Sequence, residues 1–181
     1  MRLLRAADRQ ASPWKNGGGV TWEVAASPHG APIEDFDWRV SIAEVATGGA
    51  FSKFPGVDRT LTVIEGQGLL LEVEGLDAET LDASSAPFAF AGDVTCEAKL
   101  TDGAIRDLNV MTRRGVWSAR VRRTPGPGKL DLTAEVSFLV AVTPAQIDEI
   151  QLRPEDVLRF DEARPLSVGQ GEFVLVELHR A

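Results

Sequence analysis

The chain has 181 residues, 44% of them hydrophobic, and a formal net charge of −8 at pH 7. This length allows one ordinary domain or two small ones with a real core. The acidic balance argues against direct binding of nucleic acid, the lack of an apolar run near 20 residues argues against a membrane span, and the single cysteine excludes an internal disulfide framework. We therefore expect a cytoplasmic protein that binds neither nucleic acid nor membrane.

The first distinctive segment along the chain is residues 14–23, with the sequence WKNGGGVTWE. Glycine runs occur where the backbone turns with positive φ or approaches another group closely. Two interpretations are open. Either Lys15 and Asn16 form one wall of a pocket, or the glycines form a tight hairpin turn and the lysine is solvated. The residues that follow alternate in polarity and predict a strand.

Strand-like alternation of apolar and polar residues continues along most of the chain. Residues 38–45 alternate clearly, and residues 59–64 and 69–73 flank a glycine-containing turn that predicts a hairpin. Further strands are predicted at residues 87–90, 107–111, 116–121, 136–142 and 172–178. Residues 143–147, with a proline in second place, predict a single helical turn. The pattern indicates an all-β sandwich or barrel.

Five blocks in chain order resemble the HutD/Ves family of cupin-fold proteins, and several linked blocks are more specific than a single motif. The blocks are residues 14–23, 38–41, 51–59, 90–93 and 107–114. The resemblance implies a cupin-like (RmlC-like) jelly roll, in a bicupin arrangement of two packed β-barrels. It also implies a link to histidine utilisation in bacteria, where such proteins are thought to restrain pathway expression by sensing a metabolite.

The best internal boundary is the proline- and glycine-rich segment 124–128. With the resemblance, it predicts a main cupin-like barrel at residues 1–124, which carries the motif blocks. Residues 129–181 would supply C-terminal strands that complete a second, smaller cupin-like barrel packed on the first. Roughly fifty residues are too few for an independent core, so the C-terminal strands are expected to depend on the rest of the chain.

The ligand positions of the general cupin metal motif carry no histidine in this chain. Gly66 fits the terminal glycine of that motif, but Arg59 stands where its glutamate would be, and a guanidinium cannot ligate a metal. His29 and His179 are the only histidines, and neither lies in a ligand constellation. We therefore expect no resident metal and no other cofactor.

Catalytic motifs are equally scarce. Cys96 has no histidine in a nearby motif, and no serine lies in a nucleophile elbow. A carboxylate acid/base pair, for example Glu23 with Asp107, is the remaining catalytic possibility. We therefore name no catalytic residue and expect a non-enzymatic protein, with a metal-free cupin enzyme acting on a small organic acid as the alternative.

The strand alternation also predicts the lining of a polar cavity. If the polar faces of three strands line a barrel interior, two guanidiniums, a hydroxyl, a carboxylate, an amide and a thioether surround one space. Lys15 and Asn16 would close its mouth, Phe51 and Phe54 would form an apolar wall, and Ser52 would donate a hydrogen bond. The predicted ligand-binding residues are Lys15, Asn16, Arg39, Ser41, Phe51, Ser52, Phe54, Arg59, Asp107, Asn109 and Met111.

Arginine binds carboxylates through two parallel hydrogen bonds, so this cavity suits a small anion. We expect a small anionic metabolite of the urocanate or N-formylglutamate class and a role as a metabolic regulator. A structural partner protein with a vestigial pocket is a further alternative. Structural roles also stay open for the charged residues: Arg39 can pair with Asp107 or Glu23, Asp58 and Asp93 suit turns, and Arg113 and Arg114 suit the surface. The sequence leaves the ligand, any turnover, the regulatory partner and a homodimer open.

Overall fold

The computed structural model describes residues 1–181 and contains nineteen strands. The first eleven are β1 (Arg2–Leu4), β2 (Ala11–Pro13), β3 (Gly19–Ser27), β4 (Trp38–Val45), β5 (Gly49–Ala50), β6 (Val57–Glu65), β7 (Leu69–Val73), β8 (Glu79–Leu81), β9 (Phe88–Ala91), β10 (Cys96–Leu100) and β11 (Ile105–Arg113). The others are β12 (Trp117–Pro125), β13 (Gly128–Leu132), β14 (Val136–Ala141), β15 (Ala145–Ile147), β16 (Ile150–Leu152), β17 (Val157–Phe160), β18 (Arg164–Val168) and β19 (Glu172–Arg180). The one helical element is a 3₁₀ turn at Ala6–Asp8, and no helix is long and apolar enough to cross a bilayer.

The strands belong to two compact units. The first unit is Gln10–Val116 and contains β2 to β11. The second unit combines Met1–Arg9 with Trp117–Ala181 and contains β1 and β12 to β19. The boundary predicted at residues 124–128 therefore falls inside the second unit. The reason is that β12 pairs along its whole length with β19, near the C-terminus, so its residues are held in the C-terminal sheet.

Two antiparallel sheets form the first unit. One has the strand order β2-β3-β4-β11-β6-β9 and the other the order β5-β10-β7-β8. Their apolar side chains form one core, made of Val45, Leu61, Val63, Leu69, Leu71, Val73, Leu81, Phe90, Cys96, Ala98 and Ile105. Because successive side chains of a strand point to opposite faces, this core defines the inward face of every strand that contributes to it.

The hairpin predicted for residues 59–73 is wrong. β6 pairs with β11 and β9, whereas β7 pairs with β10 and β8 in the other sheet. The connecting turn contains Gly66 and Gly68, both with φ of +97°. A Cβ at either glycine would collide with a backbone carbonyl oxygen, of Ala104 and Leu81 respectively. The glycines thus allow the chain to pass closely between sheets, which local alternation cannot distinguish from a hairpin.

The second unit contains the five-stranded sheet β1-β17-β14-β19-β12 and the pairs β13-β18 and β15-β16. Leu139, Leu158, Phe160, Phe173 and Leu175 lie at the centre of its own apolar core. The helical turn predicted for residues 143–147 is wrong, because Ala145–Ile147 is a strand, β15, that pairs with β16. Its threonine does not cap a helix; the Oγ1 atom of Thr143 accepts a 2.9 Å hydrogen bond from the N–H of Glu172.

The N-terminal residues are held in the second unit by Asp156. This buried carboxylate accepts hydrogen bonds from the backbone N–H groups of Ala6 and Arg153, both at 2.9 Å, and from Nη1 of Arg5 at 2.7 Å. Burial would raise the pKa of Asp156, but these hydrogen bonds outweigh it and hold the pKa below its ordinary value. The ionised carboxylate therefore fixes the residues that follow β1, which itself pairs with β17.

Candidate functional site

Three rows of inward-facing side chains cross the six-stranded sheet of the first unit. The rows are Arg59–Met111–Arg39, Leu61–Asn109–Ser41–Glu23 and Val63–Asp107–Ala43–Thr21. Leu61 and Val63 belong to the core, so the polar members of the rows share the core-facing side. The alternation of the sequence predicts this common face. The strand register brings the three strands that contribute these polar residues, β6, β11 and β4, next to one another.

Arg59 is the most unusual of these residues, because its guanidinium is almost wholly buried, with only 5% of the residue exposed. Its Cζ lies 5.1, 5.5 and 5.3 Å from the ring centroids of Phe51, Phe54 and Phe90. Burial lowers the pKa of Arg59, while the nearby charge of Asp107 acts in the opposite direction. Three electron-rich ring faces thus surround a cation that has little contact with solvent.

The hydrogen bonding of Arg59 is incomplete. Its Nη1 donates one long bond, 3.3 Å, to the carbonyl oxygen of Ser52, and its Nε has no partner. The contact with Ser52 is therefore made by the main chain, whereas the sequence predicts a role for the hydroxyl. A guanidinium has five N–H donors, so most of this capacity is available to another group.

Two acceptors on β11 are also buried without partners. These are Oδ1 of Asp107, a residue that is 2% exposed, and Oδ1 of Asn109. Burial raises the pKa of Asp107 to about 7, although the positive charges of Arg59 and Arg106 act in the opposite direction. Such unsatisfied groups are rare in protein interiors, and a water molecule, an ion or a ligand can complete their bonding.

The remaining predicted residues of the three rows lie in structural surroundings of the protein's own. Arg39 pairs with Glu23, Nε to Oε2 at 2.9 Å, which decides between the two partners that the sequence leaves open. Ser41 is buried beside Asn109. Met111 packs with Phe36 and Val57 in a small apolar cluster, which Phe54 also contacts.

The structure does not bring Lys15 and Asn16 to Arg59. They lie in the turn between β2 and β3, where Oδ1 of Asn16 accepts a 3.0 Å hydrogen bond from the N–H of Gly18. That turn adjoins Gly19, which pairs with Val45, and the six-residue step along β4 from Val45 to Arg39 is about 20 Å. The hairpin interpretation of this segment describes it better, and both side chains are exposed.

One charged cluster is absent from the sequence-based prediction. Arg114 binds Asp58, Nε to Oδ1 at 2.8 Å, and Asp93, Nη1 to Oδ2 at 3.0 Å. The hydrogen bond from Arg114 holds the pKa of Asp93 at about 2. These residues come from three separate family blocks. The occurrence of two acidic residues and an arginine in those blocks was the signal that could have predicted the cluster. The cluster is exposed and ties the surface ends of β6, β9 and β11 together.

A metal site and a surface depression are weaker candidates for the functional site. No group of three or more His, Cys, Asp or Glu side chains is placed to hold a metal ion. A shallow surface depression at β7 and β10 is lined by Glu72, Val73, Glu74, Leu76, Ala78, Thr95 and Glu97. Its acidic lining repels anions, so the interior around Arg59 is the candidate site.

The two antiparallel sheets and their polar interior define an all-β protein of the cupin-like class. The family model described as HutD matches residues 6–175. The "uncharacterized 21.2 kDa protein in hutC 3'region" of Pseudomonas putida is 38% identical, over 98% of this chain and 97% of its own. The structure of HutD from Pseudomonas fluorescens SBW25, solved in a formate condition, is 34% identical with a TM-score of 0.89, covering 99% of this chain and 98% of the other. The chain belongs to the HutD/Ves family.

Two further similarities are weaker, one in the length covered and the other in identity. Protein Ves of Citrobacter koseri is 44% identical over 60% of this chain and 56% of its own length. YhhW from Escherichia coli is 10% identical with a TM-score of 0.68, over 97% of this chain and 96% of the other. At that identity YhhW shares the fold alone.

Proposed function

We propose that the protein binds a small carboxylate metabolite inside the first unit and acts as a non-enzymatic regulator of histidine utilisation. The observation that carries this proposal is the buried guanidinium of Arg59 with unused donors. An unpaired buried cation is unfavourable, and a carboxylate would complete its bonding through two parallel N–H···O contacts. The phenylalanine rings around Arg59 provide the apolar lining that is typical of small-ligand sites.

The histidine-utilisation context comes from the relatives. The Pseudomonas putida protein is named for its position beside hutC, and the solved relative is named HutD. Urocanate and N-formylglutamate are therefore the ligands we propose first. We also propose that the two units are the two barrels of a bicupin. Antiparallel sheets around a separate apolar core in each unit support this arrangement.

Calorimetric titration of the full chain tests the proposal. We expect saturable binding of one equivalent of urocanate or N-formylglutamate, and no binding of urocanamide, the neutral amide that matches urocanate in shape. An absence of binding by every carboxylate of the histidine pathway would contradict the proposal. Equal binding of the acid and its amide would contradict the role of the guanidinium.

The regulatory part of the proposal needs a cellular measurement. In a host whose own family member has been deleted, the wild-type chain should restrain expression of the histidine-utilisation enzymes. The Arg59→Ala variant should fail to do so at equal protein abundance. Restoration by both chains would contradict regulation through this site.

One observation favours a second candidate, a metal-free enzyme acting on the same acids. Burial raises the pKa of Asp107 to about 7, which is suitable for a general acid or base near neutral pH. Incubation of the protein with a bound acid, followed by proton NMR, separates the two functions. Turnover that is lost in Asp107→Asn, with binding retained, would support the enzyme. An unchanged spectrum would support the binding protein.

A further inference from the structure

The interior of the first unit contains unused hydrogen-bonding groups of both kinds. Nε of Arg59 is a donor without a partner, and Oδ1 of Asp107 and Oδ1 of Asn109 are acceptors without one. Each buried group left unbonded costs free energy relative to its bonded state. A ligand that forms a hydrogen bond only with the donor would therefore leave both acceptors unbonded.

The three groups lie within the reach of one small molecule. Asp107 and Asn109 are alternate residues of β11, so their side chains leave the same face about 7 Å apart. Arg59 stands opposite Met111 on the neighbouring β6, which makes it a diagonal neighbour of Asn109. Ser41 flanks Asn109 on the other side, from β4.

The protein does not satisfy these groups with each other. Arg59 is held by three phenylalanine rings and by the carbonyl oxygen of Ser52. Asp107 interacts with Arg59 through charge alone, without a hydrogen bond. A cationic donor on β6 and two acceptors on β11 are therefore left without hydrogen-bond partners.

We infer that the ligand is a carboxylate that also carries an N–H or O–H donor, its carboxylate directed to Arg59 and its donor to Asp107 and Asn109. The inference rests on the proposed function and adds its specificity. A plain carboxylate pairs with Arg59 but leaves both acceptors unbonded and places a second negative charge near Asp107. A donor-bearing carboxylate completes both sets of bonds. Arg59 thus provides affinity for anions, and β11 selects among them.

Ligand pairs that differ only at the donor test this inference. Urocanate is compared with its two N-methyl derivatives, and N-formylglutamate with N-formyl-N-methylglutamate, by calorimetric titration of the full chain. For the pair that binds, we expect the N–H compound to bind at least 10-fold more tightly than its methylated partner. In Asn109→Leu and in Asp107→Leu, which replace an acceptor by an apolar group, the ratio should fall to about threefold or less.

Thr62→Val provides the matched control. Thr62 Oγ1 is also buried without a partner, but Thr62 alternates with Leu61 and Val63 and so faces away from the core. This variant should keep the full preference for the N–H compound. Because Asn109 is only half-buried, Asn109→Leu keeps the test available if Asp107→Leu does not fold.

The outcomes distinguish the inference from the function on which it rests. Equal binding of the N–H and N-methyl compounds to the wild-type chain would overturn the inference and leave carboxylate binding intact. A preference that survives in both leucine variants would overturn the assignment to β11. No binding of any carboxylate would overturn the proposed function and the inference together.

Discussion

At the scale of single residues, Arg59 shows how a folded chain keeps a cation in its interior. Each ring face within about 6 Å contributes roughly 0.5–2 kcal/mol to a desolvated cation, and three phenylalanines lie within that distance. These rings stabilise the charge without using its N–H groups. The guanidinium thereby stays charged and oriented, and its N–H groups stay available to bind an anion.

The first prediction concerns the affinity for the bound acid. Arg59→Ala should weaken carboxylate binding by about 2–4 kcal/mol, because the ligand's charge would lose its partner in a site shielded from water. Arg59→Lys should recover only part of this loss, since an ammonium cannot form the two parallel bonds of a guanidinium. Calorimetric titration measures both effects. Lys99→Ala, which removes an exposed cation of the same unit, should change nothing.

The folding stability of Arg59→Ala distinguishes binding from structure. Removal of this buried cation relieves its desolvation, which offsets the lost ring contacts, so the empty protein should be unharmed or slightly stabilised in denaturant melts. A large loss of stability together with unchanged affinity of the folded fraction would show that Arg59 has a structural role instead.

The second prediction concerns pH and Asp107. Its pKa in the folded protein is about 7, against an ordinary value of 3.8. The folded chain therefore holds the proton more tightly than the unfolded chain, and the free energy of unfolding falls as pH rises from about 4 to 7. Asp107→Asn, which is neutral at every pH, should match the wild type near pH 4. At pH 8 it should be more stable by up to about 4 kcal/mol.

Denaturant melts of both chains at pH 4, 5.5, 7 and 8 measure this difference. A difference that does not change with pH would contradict the burial of an ionisable carboxyl at this position. Because the other carboxylates are common to both chains, their titration cancels in the comparison.

At the scale of strands, the sequence predicts which side chains share a face of a strand better than it predicts which strands pair. Alternation depends on the backbone of one strand and predicts correctly that Arg39, Arg59 and Asp107 share the inward face. Which strands are neighbours depends on contacts between distant residues. The close passage of Gly66 and Gly68 between the sheets was therefore indistinguishable from a hairpin turn. The same limit applies to Lys15, which the sequence predicts at the mouth of the cavity; the register puts the adjoining Gly19 beside Val45, at the other end of β4 from Arg39.

The third prediction concerns the attachment of β1. Asp156→Ala should lower the free energy of unfolding by about 1–3 kcal/mol, because it removes the acceptor of the backbone N–H groups of Ala6 and Arg153 and the ion-pair partner of Arg5. Its pKa is below the ordinary value of 3.8. The stability that it contributes is therefore present above that value and is lost as pH falls through the lower, folded-state pKa.

Asp161→Ala is the matched control for this variant. Asp161 pairs with Arg159 in the same unit, but its side chain is 59% exposed. Exposed ion pairs contribute about 0–1 kcal/mol, so the control should unfold almost like the wild type. Equal losses in the two variants, measured in denaturant, would contradict a special role for Asp156.

At the scale of the whole molecule, the pairing of strands predicts how fragments behave. A fragment of residues 1–128 contains β1 and β12 but lacks β17 and β19, with which they pair. It should therefore aggregate more than a fragment of residues 10–116, in which every strand keeps its sheet partners. Light scattering and size-exclusion chromatography of both fragments measure this. A monomeric, cooperatively unfolding 1–128 fragment would contradict the prediction.

The second unit is discontinuous in sequence, and this has a consequence for synthesis on the ribosome. Arg2–Leu4 is translated before residues 10–116, whereas its partner Val157–Phe160 is translated after them. Residues 10–116 hold all of their own partners and can become ordered in the interval. The entropic cost of joining the two ends then falls, because a folded insert replaces much of the flexible loop. Strand β1 therefore stays unpaired until β17 has been made, and chaperones and proteases have access to it during that time.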